Sequence, residues 1–389
     1  MTAAPASLVA APRPPAELPA EPLELLPGNA VVAVAMSGGV DSSVAAARCA
    51  ARGLPTFGIT LAMWPRGTQT ARDRGCCSVD AVDDARRVCA RLGIAHYAWN
   101  LEAEFRTAVI ADFEDQYAAG RTPNPCVRCN SSVKFGTLLE RARSVGATHV
   151  ATGHYARIGR RGALWTLHRA RTAAKDQAYT LHRLGQAQLG AAVFPLGGFT
   201  DKAEVRAEAR RLGLATAGKP DSQELCFVEE SIAAELERRL RGRYEPGPVV
   251  DLGGRLLGEH RGLPFYTVGQ RSGLGVRPGR PDATPLHVLR LDRAANRLVV
   301  GPREALLSRR ALARSCAWVA EEPAVGLRCG AQLRAHGAAV PATIEEIGEG
   351  SLRVRFDEPV TAIAPGQSLV LCAGDEVLGG GIVAVDEAA

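Results

Sequence analysis

The sequence predicts an α/β protein: an N-terminal doubly wound, mostly parallel sheet, then a small β-rich central domain and a C-terminal β-barrel. Three observations predict it. An apolar, β-branched run, Val31-Val32-Ala33-Val34, passes through a glycine loop into an alanine-rich helical stretch, Val44 to Ala51. Strand and helix patterns then alternate as far as Ala151, as they do when parallel strands are joined by crossover helices. From His287 onward short strands recur with no helix-length apolar period except over Arg303 to Leu312, which suits a small barrel.

Composition sets the outer bounds. The chain has 389 residues, 46% hydrophobic and 23% charged, enough for two or three domains with a buried core. Lys and Arg outnumber Asp and Glu by 47 to 41, a net +6 that permits a polyanionic partner without demanding one. Pro, Arg and Gly interrupt every apolar run before membrane-spanning length, so no membrane association is expected. Residues 1–28 are rich in Ala and Pro, and Arg13 follows rather than precedes the first apolar patch, which predicts a disordered leader and not a secretory signal. Ten cysteines without such a signal predict reduced thiols and a cytoplasmic location. The expected divisions are a catalytic domain over 29–227, a central module over 228–285 and a barrel over 286–389.

The elements follow in order. Pro55 to Leu61 and Ile94 to Trp99 read as strands. Between them Val79, Val82, Val88 and Leu92 mark the apolar face of a helix with Ser78 as N-cap, preceded by the adjacent pair Cys76-Cys77, which is read as structural. Phe105, Val109, Phe113 and Tyr117 recur every four residues as a core stripe. Pro123 and Pro125 place Cys126 and Cys129 on a constrained loop ahead of a helix from about Ser132 to Val145, where Arg128 and Lys134 would favour a thiolate. Thr148 to Ala151 is a further strand, Ala156 to His168 a hairpin turning at Gly159 to Gly162, and Asp201 to Leu212 an amphipathic helix. Glu229-Glu230 opens another helix, whose Arg238, Arg239, Arg241 and Arg243 either form an exposed face or contact RNA. The barrel's Arg309, Arg310, Arg314 and Arg334 could track phosphates in the same way.

The glycine loop carries the first chemistry. Ala35-Met36-Ser37-Gly38-Gly39-Val40-Asp41-Ser42-Ser43 stands between a strand and a helix, where unpaired N–H groups and the positive end of the helix dipole converge on one spot suited to phosphate. It lacks the Gly-Lys-Ser/Thr of a P-loop and the GxGxxG of a dinucleotide fold. A plain polar turn capped by Ser42 or Ser43 is the alternative reading. A doubly wound sheet binds ligands at its carboxyl edge, which brings Leu61 and Gly153 to the same place. His154 stands there too, as a packing residue or a functional one.

Several motifs together resemble the tRNA-specific 2-thiouridylase (MnmA) family of PP-loop ATP pyrophosphatases, whose fold is adenine nucleotide hydrolase-like. They are Ser37 to Ser43, Thr122-Pro123-Asn124-Pro125 ahead of Cys129-Asn130, Ala151-Thr152-Gly153-His154-Tyr155, Lys175-Asp176-Gln177, and Asp221-Ser222-Gln223 ahead of Cys226-Phe227. Tyr266 to Arg271, Pro365-Gly366-Gln367-Ser368 and Leu378 to Gly381 extend the resemblance over all but about the first 28 residues.

The resemblance implies ATP-dependent 2-thiolation of a tRNA wobble uridine, with Mg²⁺ as cofactor, a persulfide donor protein as partner and a monomeric enzyme. It assigns ATP binding to Ala35 through Ser42 with Leu61 and Gly153, and catalysis to Cys129 and the persulfide-carrying Cys226. Asn124, Pro125 and Cys126 would line the target-base pocket, while His154, Lys175, Asp176, Gln177 and Gln367 would contact tRNA. One departure stands out: many members carry aspartate where this chain has Cys126. With Cys129 and Cys226 it makes three thiolates, able to hold a 4Fe-4S cluster with one open iron, to bind zinc, or to act as a redox trio. A C–N ligase built on the same loop, and a non-catalytic metal-thiolate RNA-binding protein, are the competing functions.

Overall fold

A computed structural model describes residues 14–63, 79–221, 225–228, 230–276 and 285–385. Its N-terminal part runs β1 (Val32–Ala35), α1 (Val40–Ala51), β2 (Thr56–Ala62), α2 (Val79–Leu92), β3 (Ala95–Asn100), α3 (102–118), α4 (125–144), β4 (His149–Ala151), the hairpin β5 (Ala156–Arg161) and β6 (Leu164–Arg169), β7 (Ala192–Val193) and α5 (Lys202–Arg211). The sheet is parallel throughout, in the order β3-β2-β1-β4-β7. Because the chain leaves β1 toward β2 and returns beside it as β4, the strand order reverses between β1 and β4, and a crevice opens at their carboxyl ends.

Alternation along β1 explains the two layers. Val32 and Val34 pack with Val44, Val88 and Val205 on one face, whereas Ala33 joins Phe105, Phe113 and Val133 on the other. The stripe Phe105, Val109, Phe113 and Tyr117 is buried as expected. Cys76, Cys77 and the N-cap expected at Ser78 lie outside the described residues.

Helix α6 (Ile232–Arg239) leads into the central sheet, formed by β8 (Gly247–Val250), β9 (Leu256–His260), β10 (His287–Asp292) and β11 (Arg297–Gly301) in the order β10-β11-β8-β9. The boundary read at residue 286 therefore cuts this sheet, because β11 pairs with β8 and not with the barrel. The barrel comprises β12 (Ser308–Trp318), β13 (Arg328–Gln332), β14 (Val340–Gly348), β15 (Ser351–Val360), β16 (Ser368–Ala373) and β17 (Glu376–Ala384), closed by the pairing of β12 with β17. The apolar period over Arg303 to Leu312 yields only a short turn, Arg303–Leu306, because Ser308 onward is captured as a strand by β15 and β17.

Two further departures follow from long-range contacts. The hairpin of the first domain does not stand alone: β6 pairs with β17, joining that domain to the barrel. Residues 14–28, expected to be a disordered leader, are packed where described, with Glu17 bridged to Arg160, Leu23 buried and Glu21 ion-paired with Arg48.

Candidate active site

At the head of α1 the loop is held by its own serines. The Ser37 N–H donates to Ser42 Oγ at 3.1 Å, and the Ser42 and Ser43 hydroxyls donate back to the Gly39 carbonyl at 3.1 and 2.8 Å. Gly39 is the N-cap residue, so the serines fasten the turn without capping the helix, leaving its first N–H groups without intrahelical acceptors. Gly38 has φ +67°, and a Cβ there would lie 2.6 Å from the Ala81 backbone. A Cβ on Gly153 would lie 2.8 Å from the Asp41 carbonyl carbon and the Ser42 nitrogen. Both glycines are thus needed for backbone to approach backbone, and Gly153 is brought against the loop as expected. Leu61 is buried near the end of β2, two residues beyond Ile59, whose carbonyl accepts the Met36 N–H at 2.8 Å.

A charged network surrounds the loop. Asp41 accepts from Tyr155 Oη at 2.6 Å and from Lys202 Nζ at 2.6 Å. Lys202 reaches Asp221 at 3.2 Å, and Asp221 also takes Lys175 at 2.8 Å and Arg206 at 2.7 Å. Lys219 donates to the Gly38 carbonyl at 3.1 Å and to Asp84 at 2.7 Å. Burial pushes the Asp221 carboxyl up, but Lys175 and Lys202 outweigh it and hold the group below the usual carboxylate range. Burial, reinforced by the Asp41 charge, pushes the Tyr155 phenol far up, so it stays a donor. Lys202, Arg206 and the Tyr155 hydroxyl join the network through contacts between elements distant in sequence. The only local signal was the placement of Lys202 and Arg206 four residues apart on the amphipathic α5.

The thiols occupy the other side of the sheet. Helix α4 begins at Pro125, earlier than the prolines suggested, because proline at the first helical position forfeits only an N–H that has no partner anyway. The Asn124 side chain caps it, accepting from the Cys126 N–H at 3.1 Å. Cys126 and Cys129 therefore stand on a helix and not on a loop: Cys126 is exposed in its first turn, and Cys129 is buried at the start of a π-helical stretch, Cys129–Thr137. Cys226 is half-buried in a turn where the Val228 N–H bonds the Leu225 carbonyl, and it packs against the same apolar cluster as Cys129. Phe227 anchors that turn, edge-on to Phe113 at 4.9 Å and to Phe105 at 6.3 Å. Among the described residues no three His, Cys, Asp or Glu side chains gather closely enough to hold a metal ion.

Comparison with known proteins bears on the whole chain. Three family models match in succession: a tRNA methyl transferase HUP domain over residues 30–230, a tRNA methyl transferase PRC-barrel domain over 235–302, and an aminomethyltransferase β-barrel domain over 308–383. The tRNA-specific 2-thiouridylase MnmA of Heliobacterium modesticaldum is 46% identical over 90% of this chain and 92% of its own. Those of Roseiflexus castenholzii and Rhizorhabdus wittichii are 44% and 49% identical, over 92% and 91% of this chain and 100% and 91% of their own. The chain belongs to the MnmA family of tRNA-specific 2-thiouridylases. The resemblance read from the motifs is thereby borne out, and the ligase and the metal-thiolate binding protein lose their footing.

Among the MnmA residues expected at tRNA, the structure gives several an internal task. His154 is buried against Phe135 and Phe194 with its Nδ1 2.6 Å from Thr152 Oγ1; burial, aided by Lys134, pulls its pKa well down, so the ring is neutral and turned inward. Asp176 accepts the Ala170 N–H at 2.9 Å and Arg169 at 3.2 Å, and the Gln177 side chain accepts the Tyr155 N–H at 3.0 Å. Gln367 donates to the carbonyls of Thr122 at 2.8 Å and Pro123 at 3.4 Å, while Thr122 also bonds the Pro365 carbonyl and the Thr267 hydroxyl. All three domains therefore meet on the segment that leads into Asn124, Pro125 and Cys126. Arg239 and Arg243 of the expected RNA-facing group are engaged with Glu114 and Asp115, and Arg310 is paired with Glu345. Among the described residues no helix is long and apolar enough to cross a membrane.

Proposed function

We propose that this MnmA-family chain catalyses ATP-dependent 2-thiolation of the tRNA wobble uridine, with ATP bound at Ala35–Ser42, Leu61 and Gly153. The observation that carries the reading is that Lys202 ties Asp41 of the glycine loop to Asp221, while Cys226, a few residues further along the chain, packs in the core that holds Cys129. The loop suits a nucleotide because Gly38 and Gly153 let backbone close on backbone around it, beside the first N–H groups of α1, which have no intrahelical acceptors. Asp41 offers the hard oxygen ligand that a magnesium ion carried in with the phosphates would use, and such an ion would neutralise phosphate charge.

The chemistry follows from the leaving group. The uracil C2 oxygen leaves poorly, so its attack on the α-phosphate of ATP, with loss of pyrophosphate, converts it into part of an AMP leaving group. The terminal sulfur of a Cys226 persulfide then adds to C2, after which the Cys129 thiolate attacks Cys226 Sγ and breaks the S–S bond, leaving the outer sulfur on the base; or Cys129 first displaces that sulfur as sulfide by attacking Cys226, and the sulfide adds to C2. Either route expels AMP, gives 2-thiouridine and leaves a Cys129–Cys226 disulfide for an external thiol to reduce. The base must leave its anticodon stack to reach the site, where Asn124, Pro125 and Cys126 would line the pocket. Following the family, Lys175, Asp176, Gln177, His154 and Gln367 would contact tRNA, and in the tRNA-free protein Gln367 holds the segment that enters that pocket.

A direct test incubates the chain with ATP, Mg²⁺, a persulfide donor and an anticodon stem-loop, and assays 2-thiouridine by mass spectrometry in air and anaerobically. Product is expected in the complete mixture and not without ATP. Product formed equally well without ATP, or by a Cys226→Ser variant, would refute the reading.

A further inference from the structure

We propose that Lys202 and Lys219 are pyrophosphate-binding residues, which exchange their carboxylate partners for the β- and γ-phosphates when nucleotide enters; this rests on the ATP-dependent reading above. Lys202 comes from α5 and Lys219 from the segment after it, both far in sequence from the loop they touch. Lys202 Nζ lies 2.6 Å from Asp41 Oδ2 and 5.5 Å from the centre of the Tyr155 ring, with its side chain only 12% exposed. Lys219 Nζ is 3.1 Å from the Gly38 carbonyl oxygen. One ammonium thus touches the first glycine of the loop and the other its aspartate, bracketing the N–H groups where a phosphate would sit.

The resting partners are replaceable. Lys175, Lys202, Arg206 and Lys219 meet three carboxylates within this network, Asp41, Asp84 and Asp221. If Lys202 leaves, Asp221 keeps Lys175 and Arg206, and Asp41 keeps the Tyr155 hydroxyl; if Lys219 leaves, Asp84 keeps Arg87. Asp84 and Asp221 each keep a cation, and Asp41, whose side chain is 32% exposed, keeps a hydroxyl donor and access to solvent, so no buried carboxylate is stranded. A polyphosphate offers more negative charge and more acceptors than one carboxylate, and a lysine ammonium on its flexible stem can follow it. Arg206 is not free to do so, because it also donates to the carbonyls of Ala217 at 3.0 Å and Lys219 at 2.8 Å.

The test compares equilibrium binding of ATP, inorganic pyrophosphate and AMP to the full-length chain and to its Lys202→Met, Lys202→Arg and Lys219→Met variants. Each methionine variant is expected to weaken ATP and pyrophosphate by about tenfold or more while AMP affinity changes less than about twofold, with Lys202→Arg recovering much of the loss. Equal losses for AMP and ATP would overturn the proposal, since the lysines would then only shape the loop, and so would unchanged ATP affinity. An unmodified chain that binds none of the three would overturn the ATP reading itself. If Lys202→Met does not fold, Lys202→Arg and Lys219→Met carry the same comparison.

Discussion

Adding a single methyl group at Gly153 should disable the nucleotide loop. Its φ is not left-handed, so alanine is tolerated by the local backbone and the whole effect is steric. The new Cβ would stand 2.8 Å from two backbone atoms of Asp41 and Ser42 and 2.9 Å from the Asp41 Cβ, against about 3.4 Å for ordinary contact. Neither neighbour is the end of a flexible side chain, so α1 or β4 must retreat by roughly half an ångström or more. Overpacking of this kind typically costs about 1–3 kcal/mol. Displacement of a reacting group on this scale approaches the ~1 Å that can cost about a hundredfold in rate. Gly153→Ala should therefore unfold earlier in urea and lose most ATP-dependent thiolation, while Gly28→Ala, whose Cβ meets nothing within 4 Å, should match the parent in both assays. Parent-like stability and activity for Gly153→Ala would show that the loop is not built on this close approach.

Three further outcomes are expected. Cys226→Ser and Cys129→Ser should each abolish sulfur transfer while leaving ATP affinity within about twofold by equilibrium binding, because the thiols lie outside the proposed nucleotide site. Gln367→Ala removes the clamp on Thr122 and Pro123 and should cost about 1 kcal/mol in denaturant unfolding while reducing thiolation more than ATP affinity. Burial pulls the His182 pKa down to about 4. Because the folded value lies below the unfolded one near 6.5, stability from the neutral ring is complete above about pH 6.5 and is lost as pH falls toward 4. NMR titration of the His182 ring should give a midpoint near 4, and a midpoint near 6.5 would contradict its burial.

What the sequence disclosed was local. The order of strand, glycine pair and alanine-rich helix at Val31 to Ala51 is readable because each residue type acts on its own turn of chain, and the stripe from Phe105 to Tyr117 because one helical face meets one core. Proline at 125 misled, since its helix-breaking effect reverses at the first helical position. Ser308 onward misled for the opposite reason: Ala311, Leu312 and Ala313 favour a helix in isolation but are claimed by two strands from elsewhere. Lys202 and Tyr155 could not have been placed beside Asp41, because their meeting depends on how α5 and β4 dock around α1. The inward turn of His154 was equally invisible, since Phe194 lies forty residues away.

The pairing of β6 with β17 carries a consequence for biosynthesis. Leu167 finds its partner in Val377, 210 residues further along the chain. At about 5–20 residues per second, translation needs some 10–40 s to supply that strand. Throughout that interval the edge of β6 lacks the barrel strand that covers it in the finished protein. An open edge of this kind is a template for pairing with another chain. His168 and Arg169 put polar groups along it, and in the finished protein they bond Asp375 and Gln332 of the barrel. The same side chains that weld the barrel to the catalytic half are thus placed to keep growing polypeptides apart on the ribosome.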